Sequence, residues 1–283
     1  MSTTGLFPFN DLPVELQREI FLVAATVDPS SARQLVLVAK RVNSWVQPCI
    51  YEMVALGSVD TALFLRTMDA MPPSFFAAYV KKLCLSVSVG ASDAAHIIRV
   101  CTGLIDLAFW VDHLAIFPDR SIAPMLCSLP LKRLSIEYKH FLSLFWEPQV
   151  QLRWYNTLTH LDIIFWRPQT AQDIPHLEKF PHLTHLSLRL RHDSPSETTL
   201  TAMLSAYRHI KLLVILGDTE PEASDAQEVV WPTNPRVVYI PYPSNVVKEW
   251  ESQARDDPDC VWSRAEELVR THTAEFERSS ATS

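Results

Sequence analysis

Residues 158–163 read "LTHLDI" and residues 183–188 read "LTHLSL", two nearly identical hexapeptides that begin 25 residues apart. Apolar residues occupy the first, fourth and sixth places, and the last three places alternate as a strand with one buried face does. The same pattern starts at Val80 ("VKKLCL"), Leu104 ("LIDLAF"), Leu131 ("LKRLSI"), Ile210 ("IKLLVI") and, less cleanly, Val237 ("VVYIPY"). The seven starts are separated by 24, 27, 27, 25, 27 and 27 residues. Self-similarity at this period marks an array in which each unit adds one supersecondary element to a shared core.

The segments between these hexapeptides supply the return paths. In "SPSETTLTAMLSAYRH", Ser194 with Glu197 predicts a capping box, Pro195 suits a first helical turn, and Leu200, Met203, Leu204 and Tyr207 share a face. "SDAAHIIRVC" (Ser92–Cys101) and "DRSIAPMLCSL" (Asp119–Leu129) fill equivalent slots. "FLSLFWEPQVQLRWYN" (Phe141–Asn156) is too aromatic for a plain return segment and predicts a protruding loop.

This array resembles the leucine-rich repeat. The resemblance implies an α/β fold: a curved parallel sheet of about seven strands over residues 80–243, with helices on the convex side. Regular repeats place an asparagine shortly after the strand, but here the residues eight on from each start are Ser88, Asp112, Lys139, Trp166, Arg191, Asp218 and Asn245. An irregular solenoid is therefore expected. If the repeat apolars point inward, the alternate positions form a concave face. Its candidate target-binding residues are Asp106, Trp110, Arg133, Glu137, His160, Asp162, His185 and Arg189, because aromatics and arginines anchor interfaces.

Ahead of the array the rhythm differs. In "FNDLPVELQREIFLVAA" (Phe9–Ala25), Asn10 and Asp11 offer caps and Pro13 suits a first turn, so a helix is predicted there. Leu12, Leu16, Ile20 and Val23 follow one face of it. A second helical stretch places Leu35, Val38, Val42 and Trp45 at helical spacing, with Pro48 expected to break it or mark a new turn. "LPVELQREIF" followed by "LVLVAKRVNSWVQPCIY" resembles the F-box over residues 9–54. That resemblance implies a three-helix module that docks on a Skp-family adaptor, and through it a cullin scaffold, with Leu12, Pro13, Leu16, Ile20, Val38 and Trp45 as adaptor-binding residues. Residues 55–79 then read as a helical linker.

Beyond the array, Asp259 offers a cap for a helix whose apolar face carries Val261, Ala265, Leu268, Val269, His272 and Phe276. A helical cap over residues 244–278, closing the last repeat, is expected, with 279–283 as a disordered tail.

Composition limits the chemistry. The 283 residues carry a net charge of −7, and no Lys/Arg run exceeds two, so no phosphate-neutralising stripe exists and no nucleic-acid partner is expected. Five scattered cysteines without C-x-x-C spacing read as thiols in a reducing compartment. No signal-like start or membrane-spanning apolar run is visible, so a cytoplasmic or nuclear location without membrane contact is expected. Five glycines form no phosphate-cradling loop and no nucleophile elbow, and the histidines lack H-E-x-x-H spacing. No catalytic residue, metal site or cofactor is expected. The resemblances together imply a substrate-recognition adaptor of a Skp/cullin/F-box ubiquitin ligase with an unknown protein target. A repeat-based scaffold without a ligase role is the alternative, and a hydrolase requires a nucleophile and base that converge only in space.

Overall fold

A computed structural model describes residues 9–112, 121–166, 174–190, 195–217 and 234–281. Asp119, Arg191, Ser194 and Asp218, named above, lie outside them. The chain is a mixed α/β protein built on one sheet of eight strands, all parallel, whose spatial order is their sequence order. The strands are β1 (Met53–Leu56), β2 (Lys82–Leu85), β3 (Asp106–Phe109), β4 (Arg133–Glu137), β5 (His160–Phe165), β6 (His185–Leu190), β7 (Leu212–Gly217) and β8 (Val237–Pro241). Seven of them are the seven hexapeptide repeats. The eighth, β1, occupies the boundary where N-terminal helices were expected to pass into a helical linker.

Register follows the repeat. Lys82, Asp106, Arg133, His160, His185 and Leu212 align across neighbouring strands, as do Leu83, Leu107, Leu134, Leu161, Leu186 and Leu213. The leucine row lies in the largest core cluster together with Phe64, Phe76, Ile97, Leu126, Trp154 and Leu200 from the crossovers. One sheet face is thus covered by helices α4 (Ser58–Ala70), α5 (Pro73–Tyr79), α6 (Ala91–Val100), α7 (Ala123–Leu126), α8 (Tyr138–Ser143) and α9 (Glu197–Ala206). A parallel strand pair needs a crossover, and a near-constant period places each crossover on the same side.

Local details depart from the sequence expectations for identifiable reasons. Helix α9 begins at Glu197, and Ser196, not Ser194, caps it by accepting the Thr199 amide. The aromatic stretch 141–156 does not protrude: Phe141 and Trp154 are completely buried, and Trp154 stacks on Phe180 at 5.8 Å. Its excess aromatics fill the core beneath β4 and β5.

The second face is covered as well. Helices α10 (Val246–Ala254) and α11 (Val261–Ala281) return across it, and their residues Trp250, Ala254, Val261, Trp262 and Ala265 are buried. These helices close the face of the sheet where a cap over its last repeat was expected. Helix α11 also continues through Ala281, into the stretch expected to be a disordered tail. Its first amide, on Val261, is satisfied by the Glu249 carboxylate of α10 at 2.8 Å, the role expected of Asp259.

At the N-terminus, α1 (Val14–Val27), α2 (Pro29–Leu35) and α3 (Lys40–Tyr51) surround a small core of Ala25, Ala32, Val42 and Val46. Pro13, expected within the first turn of α1, stands at its N-cap, while Asn10 and Asp11 belong to a short 3-10 turn and do not cap. Pro48 lies inside α3 without ending it.

Close packing between crossovers makes one glycine irreplaceable. A Cβ on Gly103, between α6 and β3, would overlap the Ala77 carbonyl oxygen of α5 and crowd Lys81. Gly103→Ala is expected to lower stability by about 1–3 kcal/mol, read as a shift in denaturant midpoint at constant slope.

Candidate functional site

The polar row of the sheet was the first candidate surface, and each of its members is engaged by the C-terminal helices. Lys82 donates to the Ala254 carbonyl, and Asp106 accepts the Trp250 indole N–H at 3.3 Å. Arg133 donates to the Gln253 carbonyl at 2.8 Å and pairs with Asp256. His160 and His185 stack on each other at 4.2 Å, both meet the edge of Trp262, and His185 contacts Glu266 at 3.1 Å.

Deeper in the face runs a continuous polar chain. The Trp110 indole donates to the Ser135 hydroxyl at 2.8 Å, and that hydroxyl donates to Asp162 at 2.6 Å. Asp162 also accepts the Arg189 Nε at 2.8 Å, and the Arg189 side chain is entirely shielded from solvent. Glu137 caps α8 through the amides of Lys139 and His140. Asp106, Trp110, Glu137, Asp162 and Arg189 are therefore buried, and Arg133, His160 and His185 are partly covered. The expectation of an open target-binding face is corrected: most of these charges and indole donors are paired beneath the chain's own helices, while both terminal nitrogens of the buried Arg189 meet no hydrogen-bond partner among the described residues.

Burial sets the electrostatics of this layer. It pushes the Asp106 carboxyl up to about 6 against the pull of Arg133, the Trp250 N–H and Lys82. It raises Glu137 against its two amide donors. Burial, then the neighbouring His185 and Arg133, hold His160 down to about 3. His185 is lowered too, chiefly by burial, with Glu266 opposing. A small cavity of about 20 Å³ between sheet and helices, lined by Asp106, Ser135, His160 and Asp162, has room for one water.

The N-terminal helices present the opposite situation. Leu16, Ile20, Val23 and Val27 fall on one side of α1 and are 51%, 45%, 52% and 80% exposed, whereas Gln17 on the inner side is 4% exposed. Gln17 donates to the Leu12 carbonyl at 2.8 Å, which fixes the start of the helix. Leu37 and Val38, in the turn after α2, are 83% and 62% exposed. Seven of the thirteen exposed large apolar side chains of the described residues lie between Val14 and Val38, and four of them, Leu16, Ile20, Val23 and Val27, form a stripe along one side of α1. Of the six residues predicted from the F-box resemblance, Pro13, Leu16, Ile20 and Val38 face solvent. Leu12 is half-buried, and Trp45 turns inward against Phe21, 6.4 Å between ring centres.

A third feature had no counterpart in the sequence reading. A cleft of about 550 Å³ separates the N-terminal helices from α10, with strand β1 at its base. Ala25, Ala32, Ile50, Met53 and Ala55 give it an apolar lining, and Arg33, Lys82, Arg255, Glu52 and Glu251 ring it with charge. The cleft is lined by residues of α1, α2, α3, β1, β2 and α10 with its C-terminal end, which no local motif announces.

Among the described residues no helix is long and apolar enough to cross a membrane, and no three His, Cys, Asp or Glu side chains cluster as metal ligands. No family model matches the chain, and no curated protein is significantly similar to it.

Two predictions follow from burial. The folded value of His160 lies below the 6.5 of a free histidine, so the native state binds fewer protons and loses stability as pH falls below about 6.5. Asp106 acts oppositely between about 4 and 6, over a smaller shift. Wild-type melting temperature should therefore drop from pH 7 to about pH 5, and His160→Gln should flatten the drop; equal slopes would contradict this. On α1, Leu16→Glu with Ile20→Glu should change stability by no more than about 0.5 kcal/mol each, whereas Val46→Ala should cost about 2 kcal/mol in the same denaturation assay.

Proposed function

We propose that the chain is the substrate-recognition adaptor of a Skp/cullin/F-box type ubiquitin ligase. The observation that carries this reading is the orientation of α1. Its apolar stripe, Leu16, Ile20, Val23 and Val27, faces solvent while the amide of Gln17 is turned inward. A helix of a self-contained globule does the reverse. An exposed stripe with Leu37 and Val38 beside the next helix asks for a protein partner, and four of these residues, Leu16, Ile20, Leu37 and Val38, fall within the segments that resemble an F-box.

In this reading α1–α3 form the F-box and recruit the Skp-family adaptor and cullin, while the eight-stranded sheet forms a leucine-rich-repeat-like solenoid that holds a target protein. The chain then works by proximity. Tethering target and ubiquitin-charged enzyme on one assembly raises the effective concentration of target lysines, and this subunit performs no chemistry. Because the polar face of the sheet is occupied by α10 and α11, the target is held elsewhere on the repeat domain.

The test is a pulldown of purified Skp-family adaptor by the wild-type chain and by the Leu16→Glu, Ile20→Glu double variant, with circular dichroism to show that both are folded. The wild type should retain adaptor and the variant should lose it by at least about a hundredfold, as expected for two charges placed in an apolar contact. A folded wild type that does not bind sinks the adaptor reading and leaves a repeat-based interaction scaffold.

A further inference from the structure

Strand β1 starts the sheet, and only one of its edges is paired. The carbonyls of Glu52 and Leu56 accept the amides of Lys82 and Ser86 at 2.9 and 3.1 Å, so these residues turn their backbone toward β2. Successive residues of a strand point opposite ways. The N–H and C=O groups of Met53 and Ala55 therefore point to the open edge, where neither meets a backbone partner among the described residues.

Natural sheets blunt such edges with lysine, proline, a bulge or a covering element. "MVAL" carries neither lysine nor proline. The opposite edge, β8, ends in Pro241 and is followed by Pro243. Met53 and Ala55 instead open into the cleft between α1–α3 and α10, whose volume of about 550 Å³ suits a short ligand.

We infer that this cleft docks an extended peptide, which joins the sheet as a ninth strand and exchanges main-chain hydrogen bonds with Met53 and Ala55. Alternating outward donors and acceptors are matched by a strand and not by a helix, whose own backbone groups are already spent. Four residues of β1 span ~13 Å at ~3.3 Å per residue, so the paired core of the peptide is about four residues long. Charge narrows its composition. The cleft holds three cations against two carboxylates, on a chain whose net charge is −7. Lys82 is committed to Ala254 and Glu52, and Arg255 to Glu251. Arg33 makes no ion pair with a described residue, so it is the free anchor for an acidic side chain of the peptide. The site rests on backbone geometry and charge, and it stands whether or not α1 recruits an adaptor.

The probe is the synthetic peptide acetyl-Val-Glu-Val-Thr-Val-Glu-amide, titrated into the full chain by calorimetry and followed by amide hydrogen exchange. In the free chain the Met53 and Ala55 amides should exchange fast while Val54 and Leu56, facing β2, are protected. Saturating peptide should protect Met53 and Ala55. Ala55→Pro removes one outward donor without touching the β1–β2 ladder and should weaken binding by about tenfold. Arg33→Glu leaves the backbone intact and should also weaken it, which decides the matter if the proline variant does not fold. Fast exchange that peptide leaves unchanged, or protection already present in the free chain, overturns the inference. So does binding indifferent to both substitutions. A concentration-dependent dimer that Ala55→Pro abolishes assigns the edge to a second copy and likewise overturns a peptide occupant.

Discussion

A sheet of parallel strands in sequence order has two faces, but crossovers of near-constant length cover only one of them. The packing and chemistry of the sheet's polar layer follow from how the second face is closed. Backbone groups between neighbouring strands are satisfied along the ladder, yet the side chains of alternate positions still need a cover or water. Here α10 and α11 supply the cover. They lay two tryptophans over the row from Asp106 to His185 and leave its charges paired with carbonyls, an indole N–H and carboxylates of the helices. Burial then governs the chemistry of that layer, holding His160 neutral and raising Asp106.

The N-terminal helices obey the opposite logic. Four small or medium side chains form their own core, and the apolar stripe of α1 is left outside it. Strand β1 joins the two parts, belonging to the sheet by hydrogen bonding and to the helices by sequence. Its free edge and the exposed stripe are separate surfaces, one defined by backbone groups and the other by aliphatic side chains.

The strands were legible because period-2 alternation inside a fixed repeat is a local signal. Register was legible for the same reason, since "LTHLDI" and "LTHLSL" align residue for residue. The cover on the second face was not read, although a signal for it exists. β7 is "LLVILG", apolar at every position but the last, and Leu212, Val214 and Leu216 fall on the face taken to be open. A continuous apolar run means a strand buried on both faces. Ala108, Cys84 and Ile164 on the same face gave the same hint. The polar residues between them looked exposed because sequence shows a charge but not its partner, and those partners lie from 25 to 172 residues away in the chain. The stripe on α1 was readable as a stripe, but which side faced inward depended on Gln17 finding the Leu12 carbonyl.

Repeat arrays fold by propagation, each unit needing only its neighbour. The cover over the second face changes that, because the contacts that close it join residues far apart in the chain: Lys82 to Ala254 spans 172 positions and Asp106 to Trp250 spans 144. During synthesis the strands can pair as they emerge, yet Trp110, Arg133 and His160 stay bare until the segment that covers them has been made. The order of translation thus gives the growing chain an interval with an adhesive flank, and closing it turns a row of nearest-neighbour units into one cooperative body.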